Sequence, residues 1–166
     1  MSGTDSERAE SIDGAEFRAA MSRLPTAVTV VTASGPDGPA GLTANAVVSL
    51  SLEPPLMLAC LDRGSRTLRA VESAGRFGIS VLGSGDEEVA SAFATKAPLP
   101  EKWEGIAWTE RQGIPALDDA VVWVACELQN VLAGGDHVIV TGNVLAVESS
   151  PGAPLVFHGG EYRPLA

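Results

Sequence analysis

Between Ala27 and Leu165 the chain is cut into short apolar runs, most of them joined by turns rich in glycine and proline rather than by long helices. That pattern restricts it to folds in which successive strands pair antiparallel, because parallel strands need a crossover of a dozen or more residues. Ala27–Ala33 (AVTVVTA) is β-branched and reads as a strand, and Gly35-Pro36-Asp37-Gly38-Pro39 after it is dense in turn residues. Gly41–Leu56 follows as the return strand, and Leu56–Leu61 (LMLACL) is a continuous apolar run of buried-strand length. Phe77–Leu82, Ala120–Leu132 and His137–Val147 are further strands, the last two joined as a hairpin through Ala133-Gly134-Gly135-Asp136. Ile106–Thr109 makes a short strand, and Pro154–Phe157 and Tyr162–Leu165 close the chain around Gly159-Gly160. Lys96–Gly105 and Arg111–Asp119 read as loops, the second tucking Ile114-Pro115-Ala116-Leu117 inward.

Three short helices complete the reading. Asp13 caps the first, with Glu16 three residues on, and Phe17, Met21 and Leu24 share a face until Pro25 ends it. So short an amphipathic helix must dock on something larger. The second spans Thr67–Ala74, with Leu68 and Val71 inward and Gly75 at its end. The third opens on Ser84-Gly85-Asp86-Glu87 as a capping box and runs through Phe93. Seven or eight strands with three peripheral helices predict a mainly β protein, an antiparallel barrel with helices outside. Residues 1–12 read as a fraying tail and 13–166 as one domain; at 166 residues, 45% of them hydrophobic, the chain can build one sizeable core.

Charge and motif content remove several functions. A net charge of −10 with 11 Lys+Arg argues against a general nucleic-acid binder, although a phosphate-bearing small molecule needs only a few local donors. No apolar run approaches the roughly 20 residues that span a bilayer. The N-terminus lacks the basic-then-apolar order of a signal peptide, so a cytoplasmic protein is expected. Cys60 and Cys126 sit alone in apolar runs and read as buried thiols, and with two distant histidines no metal centre is expected. There is no G-x-G-x-x-G after a strand, no P-loop and no G-x-S-x-G. A catalyst without its own chemical groups borrows a cofactor.

Within Gly41–Leu56 the tetrad Thr43-Ala44-Asn45-Ala46 is small-sided, which lets a flat ligand approach the main chain; taken alone it equally suits an ordinary strand. Val48-Ser49-Leu50-Ser51-Leu52 alternates like a half-buried strand and stops at Glu53-Pro54-Pro55. The Asp62-Arg63-Gly64-Ser65-Arg66 loop leads into a helix whose open N–H groups favour an anion, although simple capping by Ser65 explains the loop as well.

Together these segments resemble one family. Phe17-Arg18 with Leu24–Thr32, Gly41–Asn45 with Ser49–Leu56, Ser65-Arg66-Thr67, Phe77–Leu82, Phe93-Ala94, Gly135-Asp136-His137 through Gly142, and Pro154–Tyr162 resemble, in order and spacing, the flavin reductase-like family. The resemblance spans nearly all of Phe17–Leu165 and implies an antiparallel Greek-key split β-barrel that usually forms homodimers. It implies a flavin reductase component of a two-component monooxygenase, with FAD or FMN as flavin and NADH or NADPH as co-substrate.

By the same resemblance, Thr43, Ala44, Asn45 and Ala46 bed the isoalloxazine ring, with Ser49 helping from the adjoining turn. Ser65, Arg66 and Thr67 suit the flavin phosphate, and Cys60 and Leu61 the ribityl chain. His137 positions the nicotinamide or supplies a proton, and Phe93, His158 and Tyr162 lie near the site. Ala46 stands where many relatives carry Ser, which removes one hydrogen bond to the flavin. Two rival readings are a non-catalytic flavin-binding module and a pyridoxamine-phosphate-oxidase-like enzyme. The latter wants a second basic phosphate site, and this chain is poor in basic residues.

Overall fold

The computed structural model describes residues 12–165. Strands β2 (Thr29–Gly35) and β3 (Gly38–Ala44) form a hairpin, and β2 also pairs with β6 (Arg76–Val81). The sheet continues through β9 (Val122–Gly134), β10 (His137–Ser149), β5 (Pro55–Asp62) and β4 (Val47–Leu52), with every pairing antiparallel. Its order is β3-β2-β6-β9-β10-β5-β4. The two outermost strands are consecutive in the chain, linked only by Asn45-Ala46. There the Cys60 N–H donates to the Ala46 carbonyl at 2.9 Å, extending the β4–β5 ladder to the link, and because that link is only two residues long the sheet curls until its two edge strands meet at the tetrad. This is the mainly β, antiparallel barrel architecture expected.

Burial explains the composition of β2. Val31 and Ala33 face one core with Phe77, Ile79, Cys126, Val140 and Leu61. Val30 on the opposite side joins a second core with Leu82, Phe93, Trp103 and Leu155. A strand covered on both faces reads as a continuous β-branched run. Helix α2 (Arg66–Ala74) covers the first core with Leu68, Ala70 and Val71, each side chain contributing about 1–3 kcal/mol according to size. It ends at Gly75, whose φ of +65° a β-carbon would strain. Over the second core lie α3 (Glu87–Ala94), α4 (Leu99–Lys102) and a small sheet of β1 (Thr26–Ala27), β11 (Leu155–His158) and β12 (Glu161–Pro164). Strands β7 (Trp108–Arg111) and β8 (Ile114–Leu117) pair as a flap against β6 and β9. Among the described residues no helix is long and apolar enough to cross a membrane.

The structure departs from the sequence reading at several points. Gly41–Leu56 is two strands rather than one return strand, because the chain leaves β2 at Ala44 and re-enters the sheet beside β5. On β4 the alternation is broken by a register shift between Ser49 and Ser51 that leaves Leu50 without a cross-strand partner: Val48, Leu50 and Leu52 are exposed, at 54%, 46% and 90%, and Ser49 with them. Leu56–Leu61 is not buried throughout; β5 alternates, with Ala59 and Leu61 in the core and Leu58 and Cys60 half-buried. The helix α1 (Gly14–Met21) is capped by Asp13 as expected, yet none of its residues is buried. Helix α3 starts after Asp86, not Ser84, because the Asp86 carboxylate accepts from the Gly83 N–H instead of completing a capping box. The expected loops hold α4 and β8, so the described residues carry twelve strands and four helices rather than seven or eight strands and three helices. The tail reading for 1–11 lies outside the described residues.

Candidate active site

The sheet closure at Asn45-Ala46, the start of α2 and the α3–α4 connection enclose a cleft of about 870 Å³. One wall is the tetrad. The Thr43 hydroxyl donates to the Ala90 carbonyl at 2.6 Å, tying β3 to α3, and the Ala44 carbonyl accepts from the Thr29 hydroxyl at 2.6 Å. These bonds hold the backbone in place from behind. Asn45 is half-buried, and among the described residues its amide has no hydrogen-bond partner. Ala46 is exposed, so the wall here is backbone and methyl groups. Cys60 stands half-buried beside it, cross-strand from Ile139.

The opposite end is cationic. The Ser65 hydroxyl accepts from the Leu68 N–H at 3.0 Å, leaving its own proton free to donate. The other first-turn N–H groups of α2 have no carbonyl one turn earlier in the helix to bond. Thr67 is 2% exposed on the same turn. The Arg66 guanidinium donates to the carbonyls of Lys96 (3.0 Å) and Ala97, pinning the loop after α3. Arg66, Arg69, Lys96 and Lys102 all line the cleft against the single carboxylate of Asp62, which caps the Gly64 N–H at 2.7 Å. In a chain of net charge −10 this is a local inversion of sign. Burial, and then the Arg66 charge, push the Lys102 ammonium below its ordinary pKa.

His137 opens β10 at the cleft rim, with Nδ1 2.7 Å from an Asp136 carboxylate oxygen. That contact leaves Nε2 as the nitrogen available to a ligand, and the hydrogen bond followed by the His137 charge lowers the Asp136 pKa. Phe93 is 1% exposed and meets Trp103 edge-on with centroids 4.8 Å apart, so it backs the cleft as core. Tyr162 meets Phe157 at 5.4 Å, and both rings reach the cleft from the terminal sheet.

Eleven sequence-named residues thus meet in one place: Thr43, Ala44, Asn45, Ala46, Cys60, Ser65, Arg66, Thr67, Phe93, His137 and Tyr162. Ser49 and Leu61 do not. Ser49 is exposed on the outer strand β4, beyond the Asn45-Ala46 link, and Leu61 points into the core with no exposed surface. Nor does His158 line the cleft. Lys102, Lys96, Leu99 and Phe157 line it without having been singled out; their only signal was a basic or apolar side chain in segments read as loop or closing hairpin.

A flat, small-sided bed with a partnerless amide, next to a cationic helix start, fits a planar heterocycle carrying a phosphate arm. The model of the flavin reductase like domain matches residues 21–166. A protein of Rhizobium meliloti (strain 1021) described as a probable flavin reductase is 40% identical over 94% of this chain, which spans 50% of that protein. FMN reductase (NADH) RutF 1 of Methylorubrum extorquens (strain PA1) is 40% identical over 99% of this chain and 83% of its own length. The reductase subunit HsaB of a Mycobacterium tuberculosis (strain CDC 1551 / Oshkosh) flavin-dependent monooxygenase is 35% identical over 91% of this chain and 82% of its own length. Among solved structures, the NADH:FAD oxidoreductase SgcE6 of Streptomyces globisporus superposes with a TM-score of 0.86 at 34% identity, over 95% of this chain and 98% of that one. The chain belongs to the flavin reductase family.

Proposed function

We propose that this protein is an NADH-dependent flavin reductase that reduces free FAD or FMN and supplies the reduced flavin to a separate flavin-dependent monooxygenase. The observation that carries this reading is the joining of the Thr43–Ala46 bed, the cationic start of α2 and the His137 rim in one cleft. The naming of the relatives as NADH reductases and as a monooxygenase reductase subunit supports it.

In this reading the backbone at Thr43–Ala46 and the Asn45 amide hold the polar edge of the isoalloxazine ring. The first turn of α2, with Ser65, Arg66 and Thr67, takes the phosphate. When bound, flavin would supply the hydride-accepting chemistry. His137 Nε2 orients the nicotinamide at the rim, and Asp136 fixes the tautomer that makes Nε2 available. Donors aimed at the ring edge stabilise the charge it gains. No nucleophile is required, which agrees with the motifs missing from the chain.

The protein acts as a homodimer in this reading, with residues 13–166 as one flavin-binding domain. Support comes from the apolar side chains Val48, Leu50 and Leu52 on the outer strand β4 and from Phe17, Met21 and Leu24, all exposed in the single chain. The free thiols of Cys60 and Cys126 suit the reducing cytoplasm. The direct test is NADH consumption with and without added FMN or FAD. Flavin-dependent oxidation supports the reading, and consumption that does not respond to flavin refutes it.

A further inference from the structure

Lys102 is a buried cation that the flavin reading has not used. It ends α4 with 7% of its surface exposed, and its Nζ donates to the carbonyls of Phe93 at 3.2 Å and Gly41 at 3.4 Å. Two carbonyl dipoles, one of them distant, do not neutralise a buried ammonium, which ordinarily needs an anion. Among the described residues neither Lys102 nor Arg66 forms an ion pair, although the chain holds 21 Asp and Glu. Arg66 is close enough for its charge to act on Lys102, so two like charges share one wall of the cleft without a counter-ion. Such an arrangement is costly unless an anion arrives from outside.

We propose that Lys102, together with Arg66, forms the ionic part of the phosphate subsite, and that it makes this protein select phosphorylated flavins over riboflavin. The proposal rests on the flavin reading of the cleft. It assigns a residue from α4 to a subsite otherwise built from the start of α2, so that the phosphate is gripped from both sides of the α2–α3 gap. The competing role is structural: the Phe93 carbonyl belongs to the last turn of α3, where a cation stabilises the helix end. That role changes stability but does not distinguish one flavin from another.

The two are separated by titrating FMN and riboflavin into the wild type, Lys102→Gln and Lys102→Arg, following flavin fluorescence and recording thermal unfolding alongside. Gln keeps a polar N–H donor on a shorter side chain but carries no charge. The expected result is that the wild type prefers FMN and that Lys102→Gln weakens FMN by roughly 10- to 100-fold. Riboflavin binding changes by less than about twofold, because no charge-assisted bond is lost to it, and Lys102→Arg retains the preference for FMN. Should Lys102→Gln not fold, Lys102→Met and Lys102→Arg carry the same comparison. Equal weakening of both flavins, or unchanged FMN affinity in a folded neutral variant, overturns the proposal. Wild-type protein that binds both flavins equally also overturns it. Wild-type protein that binds neither refutes the flavin reading itself.

Discussion

Asn45 and Cys126 show how different degrees of burial give two polar groups different consequences. Asn45 sits at the link between the two edge strands, half-buried and lining the cleft, where the proposed reading has its amide hold the flavin ring. Replacing it with alanine removes neutral hydrogen bonds worth about 0.5–1.5 kcal/mol each. Asn45→Ala is therefore expected to weaken FMN and riboflavin alike by up to roughly tenfold, in contrast to the phosphate-selective effect at Lys102. Identical affinities for variant and wild type in a flavin titration would remove Asn45 from the site. Cys126, by contrast, is fully buried, and desolvation pushes its thiol from the ordinary 9.0 up to about 12. The folded protein keeps this proton while the unfolded chain loses it near 9.0, so the stabilisation is complete below that pH and is lost as pH rises towards about 12. Lys102 has the opposite sign, because its depressed pKa makes its burial less costly as pH rises. Urea unfolding across this alkaline window should show a steeper stability loss in wild type than in Cys126→Ala. Equal slopes would contradict the assignment.

At the scale of elements, the cleft depends on how closely α3 and α4 approach β3. A β-carbon built on Gly41 would lie 2.6 Å from Phe93 Cε1 and 3.3 Å from Trp103 Cζ2, so both aromatic rings lean on that one bare position. Gly41→Ala should cost about 1–3 kcal/mol by overpacking and weaken flavin binding by displacing α3 and α4. Calorimetry together with a flavin titration checks this, and a variant with unchanged melting and binding would contradict it. The same elements show what was legible in the sequence. The gathering of tetrad, helix start and His137 was implied only by the resemblance to the family, whereas the β2–β3 and β9–β10 hairpins and α2 with its Ser65 cap were readable because turn residues and apolar period agreed locally. Strand β8 and helix α4 were not, because Pro115 and Pro100 made them look like loop, and tertiary packing decided them instead. Leu61 and Cys60 were confused because a short all-apolar run hides which neighbour faces the core. Ser49 was misplaced because nothing local marks Asn45-Ala46 as the point where the chain crosses from one sheet edge to the other.

At the scale of the molecule, the exposed apolar side chains Val48, Leu50 and Leu52 are the main support for the proposed homodimer. An outer strand with three large apolar side chains facing water invites pairing and aggregation unless covered. Light scattering on a sizing column should return about twice the 17.1 kDa chain mass, and Leu50→Glu should shift the protein towards monomer. A wild-type monomer would contradict the homodimer. The central claim, that one cleft holds the flavin bed and presents nicotinamide at the His137 rim, is tested most directly by anaerobic single-turnover kinetics. Protein pre-loaded with FMN is mixed with NADH, and the loss of oxidised-flavin absorbance is followed in wild type and His137→Ala. The account predicts bleaching whose rate saturates with NADH in the wild type and falls in the variant by more than the flavin dissociation constant rises. Bleaching no faster than that of FMN free in solution, or at the same rate in both proteins, would contradict it.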